Sequence, residues 1–172
     1  MYVPQLAFLT VWSAWMNQVQ PKANDSPQDV YIAKFSDPNK VNGFVQFTGL
    51  QNGSISVSFD LHGFPQTGGP FMYHVHQAPV PVDGDCMGTL LHLNPYNGNI
   101  NNPNANEKEI GDLSGRYGLL AGDSKQTYVD EYLSLNPESL AYIGGRSVTV
   151  HLADNSRIAC ANITQVDASS LF

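Results

Sequence analysis

Residues 54–61 alternate strictly between polar and apolar side chains. Successive side chains of a β-strand point to opposite faces, so a period of two predicts a strand with one face toward a core. The residues before it, 51–53, contain Asn-Gly, the pair typical of tight hairpin turns. The segment therefore predicts one arm of an antiparallel hairpin. Its core-facing residues would be Ile55, Val57, Phe59 and Leu61.

Similar short segments recur along the chain, and no stretch shows the apolar period of a helix. A chain of 172 residues can bury one sizeable core. We therefore expect a single all-β domain over residues 28–167, built as an antiparallel sandwich or barrel. The predicted strands are 30–35, 41–47, 54–61, 73–77, 116–120, 127–132, 144–152 and 157–166.

The charge of the chain limits its partners. The formal net charge is −7, which argues against nucleic acid or an anionic membrane as the partner. An anionic substrate would have to be drawn in by a local positive group against this overall field.

The first residues bear on the compartment. Residues 6–16 form an apolar run of signal-peptide length that is too short to span a bilayer. We expect a signal peptide over residues 1–20 and a secreted protein without a membrane span; the alternative is an apolar first strand. Asn24, Asn52 and Asn162 each begin a glycosylation sequon.

The chain has two cysteines, Cys86 and Cys160, which do not form a C-x-x-C metal or redox pair. In an oxidising compartment they would form one disulfide closing a long loop. Cys86 lies within residues 78–111, a stretch rich in Pro, Asn and Gly. A loop of that length in a compact domain is usually functional or disordered.

Histidines supply the candidate chemistry. His74 and His76 share one face of a predicted strand, His92 lies in the long loop, and His151 is near the end of a late strand. Imidazole nitrogens suit Zn, Cu, Fe and Ni, and an all-nitrogen tetragonal set favours Cu(II), although the spacing does not exclude zinc. The alternative for His74 and His76 is that they are two histidines on the solvent face of their strand. His62 falls on the outward phase of its strand and is interpreted as a surface residue.

Five motifs occur in order along the chain: Tyr73-His-Val-His76, His92-Leu-Asn-Pro95, Gly111-Asp-Leu-Ser-Gly115, Val150-His151 and Ser156-Arg-Ile-Ala-Cys-Ala161. In these motifs and their order, about residues 28–166 resemble the copper/zinc superoxide dismutase family. Residues 73–81 and 92–98 resemble most the extracellular copper-only members of fungi.

The resemblance implies an immunoglobulin-like, antiparallel Greek-key β-barrel of about eight strands. Cys86 and Cys160 match the family's disulfide, which would anchor the long loop. Arg157 matches the arginine that guides superoxide to the metal, and His92 would also take up and return a proton during turnover. The implied copper ligands are His74, His76, His92 and His151.

The chain departs from the family at the zinc site, which uses the bridging histidine, two further histidines and an aspartate. Asp112 matches the aspartate, Glu109 stands where one histidine would be, and the other has no counterpart. The resemblance thus implies one copper per chain, no zinc and, by analogy, a monomer. Glu109 or Asp112 would then accept a hydrogen bond from the free ring nitrogen of His92; otherwise Glu109 is a solvated loop residue.

A second departure is the short interval between His151 and Arg157, which should leave the copper open to solvent. The expected activity is conversion of superoxide to O₂ and H₂O₂ through Cu(II)/Cu(I) cycling. Two alternatives are a copper-binding protein without turnover, which would not need Arg157, and a surface or adhesion module with incidental histidines.

Overall fold

The computed structural model describes residues 29–37 and 40–167. The expected signal peptide at 1–20, its alternative as a first strand, and Asn24 lie outside these residues. The described part contains seven strands, one short α-helix and two 3₁₀ helices, Cys86–Thr89 and Ala105–Glu107. The longer elements are β1 (Val30–Phe35), β2 (Asn42–Gly49), β3 (Ile55–His62), β4 (Met72–His76), α1 (Leu113–Tyr117), β5 (Ser124–Asp130), β6 (Ser147–His151) and β7 (Arg157–Val166).

All strand pairs are antiparallel, in the order β4-β6-β7-β1-β2-β3-β5. The chain crosses from β3 at one side of this order to β4 at the other, as in a Greek key. Phe71 and Leu120, which precede the two end strands, exchange backbone hydrogen bonds of 2.8 and 2.9 Å. This pair brings the ends of the curled sheet together, and the predicted all-β antiparallel fold is confirmed.

The apolar face of β3 is buried, as its alternation predicts. Ile55, Val57, Phe59 and Leu61 are each at most 1% exposed. On β2, Val45 pairs with Phe59 and Phe47 pairs with Val57, so both strands turn the same face to the core. Each fully buried side chain of this kind contributes about 1.5–3 kcal/mol.

One predicted strand is wrong, and residues 29–37 and 40–167 contain seven strands where about eight were expected. Residues 116–120 do not form a strand, because the chain enters helix α1 at Leu113. Asp112 caps this helix, and its Oδ1 accepts a hydrogen bond of 2.8 Å from the backbone N–H of Gly115. Only Leu120 pairs as a strand residue would.

The disulfide between Cys86 and Cys160 is present, and it joins residues separated by 74 positions. It attaches the first 3₁₀ helix to β7, and a closure of this length stabilises a fold by about 4 kcal/mol in the chain-entropy model. The long loop is therefore anchored beside β6 and β7, as expected.

The two sequons within the described residues differ in setting. Asn52 is exposed in the turn between β2 and β3. Asn162 lies on β7, where its Oδ1 accepts a 2.6 Å hydrogen bond from Val80 N. Within residues 29–37 and 40–167, no helix has the length and apolar character needed to cross a membrane.

Candidate metal centre

Three backbone segments meet at one closed set of hydrogen bonds. Val75 N donates to Gly111 O (3.0 Å), Gly111 N donates to Leu93 O (2.7 Å), and Leu93 N donates to Val75 O (2.8 Å). Val75 lies between His74 and His76, Leu93 follows His92, and Gly111 precedes Asp112. This ring of bonds fixes the three segments that carry most of the candidate ligands.

We expect Gly111→Ala to distort this ring. An added Cβ would lie 2.2 Å from Val75 O and 2.9 Å from Leu93 N, and both are backbone atoms. Such overpacking costs about 1–3 kcal/mol, which urea unfolding would measure. Gly49→Ala is the control, because its Cβ would meet Leu135 and Asp29 only at 3.5 and 3.7 Å. Equal stability of the two variants would contradict the importance of this contact.

The four histidines proposed as ligands converge. Each offers one nitrogen, and these atoms all lie within 4.8 Å of one another. His74 and His76 project from β4, His151 from the paired strand β6, and His92 from the loop, where it forms an isolated bridge with His76. The first three are at most 1% exposed, whereas the side chain of His92 is 15% exposed.

The outer nitrogen of each ring faces a hydrogen-bond acceptor. Nδ1 of His76 lies 3.0 Å from Leu90 O, and Nδ1 of His151 lies 3.1 Å from Asn155 O. A carbonyl oxygen can only accept, so these nitrogens carry the ring protons. Each Nε2 is therefore left with a lone pair.

Carboxylate oxygens are the acceptors that face the outer nitrogens of the other two rings. Oε2 of Glu109 lies 2.7 Å from Nδ1 of His92, and Oδ1 of Asp112 lies 3.4 Å from Nε2 of His74. The sequence had left open which carboxylate would face His92. The structure places Glu109 there, while Asp112 faces His74 and caps helix α1.

With these tautomers, the four inward-facing ring nitrogens each carry a lone pair and no proton. Nε2 of His76 and Nε2 of His151 are 3.2 Å apart, and Nδ1 of His74 is buried without a hydrogen-bond partner among the described residues. Unprotonated nitrogens at such distances repel one another unless a cation lies between them. The donor set thus fits a single metal ion held by four neutral imidazoles.

Burial lowers the pKa of three of the rings. Burial lowers the pKa of His76 to about 3, with the neighbouring His92 adding to the effect. Burial likewise lowers the pKa of His151 to about 4. Burial and then His74 lower the pKa of His92, although the Glu109 carboxylate opposes this shift. These three rings can therefore bind a metal at neutral pH without first losing protons.

The metal-free protein should lose stability in acid. His76 and His151 are protonated near pH 6.5 when unfolded, but only near pH 3 and 4 when folded. The unfolded state therefore binds more protons below pH 6.5, and stability falls as the pH drops toward 4. Between pH 7 and 5 we expect a loss of about 4 kcal/mol in urea unfolding. His151→Asn should halve this slope; an unchanged slope would contradict the assignment.

Arg157 faces the rim of this site from β7. Its Nη1 donates to Cys86 O (2.7 Å) and Met87 O (3.1 Å), and its Nη2 donates to Leu90 O (2.5 Å). The guanidinium is thus held by the loop that the disulfide anchors. Leu90 O also accepts from His76, so one carbonyl connects the arginine to a ligand.

Thr89 is a site residue that the sequence analysis missed. Its hydroxyl is fully buried and lies 3.2 Å from Arg157 Nη1, 3.1 Å from His76 Nδ1 and 3.2 Å from Thr149 Oγ1. It donates to Cys86 O at 2.8 Å. No local pattern marks this threonine, because its partners come from three distant segments.

The fifth histidine lies apart from the cluster. His62 has a half-exposed side chain, with Nε2 2.5 Å from Asp60 Oδ1 and Nδ1 3.6 Å from Asp123 Oδ2. This placement matches its interpretation as a surface residue.

Comparison with known proteins agrees with this geometry. The profile of the family "copper/zinc superoxide dismutase" matches residues 41–163. The cell surface Cu-only superoxide dismutase 5 of Candida albicans is 47% identical over 139 residues, which are 79% of this chain and 61% of that protein. The cell surface superoxide dismutase [Cu-Zn] 4 of the same organism is 44% identical over 139 residues, covering 79% and 60%.

A solved structure also matches. Superoxide dismutase 5 of Candida albicans with Cu(II) superimposes with a TM-score of 0.78 at 43% identity, covering 82% of this chain and 94% of that one. The chain spans about 60% of the length of the two curated relatives above.

Proposed function

Since the chain belongs to the copper/zinc superoxide dismutase family, we propose that it is a copper-only superoxide dismutase, acting on superoxide outside the cell. The observation that carries the proposal is the set of four imidazoles that each bring one ring nitrogen within 4.8 Å of the others. His74, His76, His92 and His151 would hold one copper ion. When bound, copper supplies the Cu(II)/Cu(I) couple that oxidises one superoxide to O₂ and reduces the next to H₂O₂.

The absence of zinc from the proposal rests on Glu109. A second metal bridged by His92 would need the Nδ1 of that ring, and this nitrogen is 2.7 Å from the Glu109 carboxylate. The carboxylate orients the ring and favours its protonated Nδ1, so Nε2 would be the nitrogen that holds the copper. Asn94 Nδ2 donates to the other oxygen of Glu109 at 3.3 Å and helps to hold it.

Arg157 would attract the substrate. The chain carries a formal net charge of −7, so a superoxide anion meets an unfavourable field until it is close to a local cation. The guanidinium is fixed at the site rim by backbone carbonyls, which leaves its charge in place. A copper buffer would have no need of this positioned cation.

His92 is the ligand best placed to exchange a proton. It is more exposed than the other three, and its Nδ1 proton is held by Glu109. Protons for H₂O₂ can therefore reach this side of the site from solvent, and the imidazole is the group that transfers them.

An extracellular location is part of the proposal. Its support is the disulfide, which persists in oxidising compartments, and the cell-surface names of the relatives. We further propose that the protein acts as a monomer.

The test is metal content and turnover on the same sample after reconstitution with copper and zinc together. One copper per chain, negligible zinc and fast superoxide consumption are expected. Copper without turnover would overturn the enzymatic proposal in favour of a copper-binding protein. One zinc per chain in addition to the copper would overturn the copper-only assignment. A protein that binds no stoichiometric metal would instead be an adhesion or surface module.

A further inference from the structure

A lysine is buried behind the metal centre. The side chain of Lys108 is 14% exposed, and its Nζ donates to Ile100 O at 2.6 Å. The same ammonium group lies 3.7 Å from Oδ2 of Asp112. Because Oδ1 of Asp112 lies 3.4 Å from Nε2 of His74, an ammonium, a carboxylate and an imidazole stand in a row.

The Lys108 charge is what compensates the buried carboxylate. Asp112 is 2% exposed, and among the described residues its Oδ2 has no hydrogen-bond partner. The nearby cation Arg116 is engaged elsewhere, because its guanidinium donates to the carbonyls of Ala105, Lys108 and Ile110. A buried carboxylate without a counter-charge is costly, so the ammonium group has a specific electrostatic task here.

We propose that Lys108 sets the strength of His74 as a metal ligand. The ammonium group draws electron density of Asp112 toward itself, so the carboxylate pulls less on the Nε2 proton of His74. Without this charge the pull increases, and the lone pair on Nδ1 becomes more basic. A more basic ligand favours Cu(II) over Cu(I), so Lys108 keeps the reduced state accessible. Lys108 is thus a positioning and tuning residue, acting through Asp112.

This inference rests on the proposed function for the identity of the metal, but its first test needs no metal. In the metal-free protein, proton NMR follows the Nε2 proton of His74. Lys108→Gln, which keeps a donor for Ile100 O but removes the charge, should move this resonance downfield. Lys108→Arg should leave it near its original position. An unchanged resonance in Lys108→Gln would overturn the proposal.

The second test is the reduction potential of the copper-loaded protein. A nearby charge changes the proton affinity of a titratable group by about one pKa unit. We expect the loss of the Lys108 charge to act on His74 by a similar factor, so the preference of the centre for Cu(II) over Cu(I) should rise about tenfold in Lys108→Gln. This corresponds to a potential lower by about 59 mV for a one-electron couple. Lys125→Gln is the matched control, because Lys125 is 79% exposed and pairs with Asp60 away from the centre.

The Lys108 variants distinguish an effect of the Lys108 charge from an effect of the loop conformation. Equal shifts in Lys108→Gln and Lys108→Arg would show that only the loop shape matters, and would overturn the proposal. If Lys108→Gln does not fold, Asp112→Asn decides: it removes the charge that Lys108 balances, so the potential should rise, and a fall or no change would contradict the inference. Absence of turnover in the wild-type protein would count against the proposed function, while the metal-free NMR result would still decide the role of Lys108.

Discussion

Arg157→Glu should lower the second-order rate constant for superoxide by about 10- to 1,000-fold, the range over which electrostatic steering changes association rates. The substitution replaces the fixed cation at the site rim with an anion that repels the substrate. It also turns a carboxylate toward Cys86 O and Leu90 O, which accept hydrogen bonds from the native guanidinium. Turnover should be measured by pulse radiolysis at several salt concentrations.

Salt dependence makes the Arg157 test specific. The wild-type rate should fall as ionic strength rises, because salt screens the attraction, and in Arg157→Glu this dependence should flatten or reverse. Lys34→Glu changes the net charge equally at an exposed position of β1, and it should leave the rate nearly unchanged. We expect both variants to retain as much copper as the wild-type protein. A wild-type rate in Arg157→Glu at low salt would exclude this arginine from substrate attraction.

Glu109→Ala should lower copper affinity or turnover by about 10- to 100-fold, as expected when the carboxylate partner of a metal-binding histidine is lost. The variant leaves the Nδ1 proton of His92 without its 2.7 Å acceptor. Because the Glu109 carboxylate raises the pKa of His92 against burial, its loss makes protonation of this ring harder. The loss of activity should therefore grow as the pH rises.

Glu107→Gln is the matched control for Glu109. Glu107 lies in the same loop, but its carboxylate accepts hydrogen bonds from Asn102 and Asn104 at the surface. Copper retention against a chelator and the pH profile of turnover should both stay near wild type in this control. An unaltered pH profile in Glu109→Ala would indicate that Glu109 is only a solvated loop residue.

Local sequence patterns predicted much of the fold. The alternation in residues 54–61 placed one face of β3 in the core, because the strand period relates neighbours along the chain. The same period placed His74 and His76 on one side of β4. The pattern failed at residues 116–120, where the apolar spacing suggested a strand. The Asp112 cap and Gly115 direct the chain into helix α1 there instead.

The candidate site, like the fold, was predicted only in part from the sequence. The resemblance brought together the four histidines, Arg157 and Cys160, which belong to its motifs, and Cys86, which is the only other cysteine of the chain. The pairing of Glu109 with His92 and of Asp112 with His74 could not be decided from the sequence. These carboxylates are close in the chain, so only the path of the loop determines which ring each one meets.

The sequence by itself thus determined the strand-rich fold, the candidate imidazole donors and the family, since these depend on periodicity and on short motifs. Only the tertiary structure decided the contacts of Thr89, Lys108 and Gly111 at the centre. Thr89 touches Thr149 on another strand, Gly111 needs a close approach to Val75, and Lys108 lies beside the Asp112 carboxylate that faces His74. Such contacts join segments far apart in the chain, and they exist only once the folded backbone has brought those segments together.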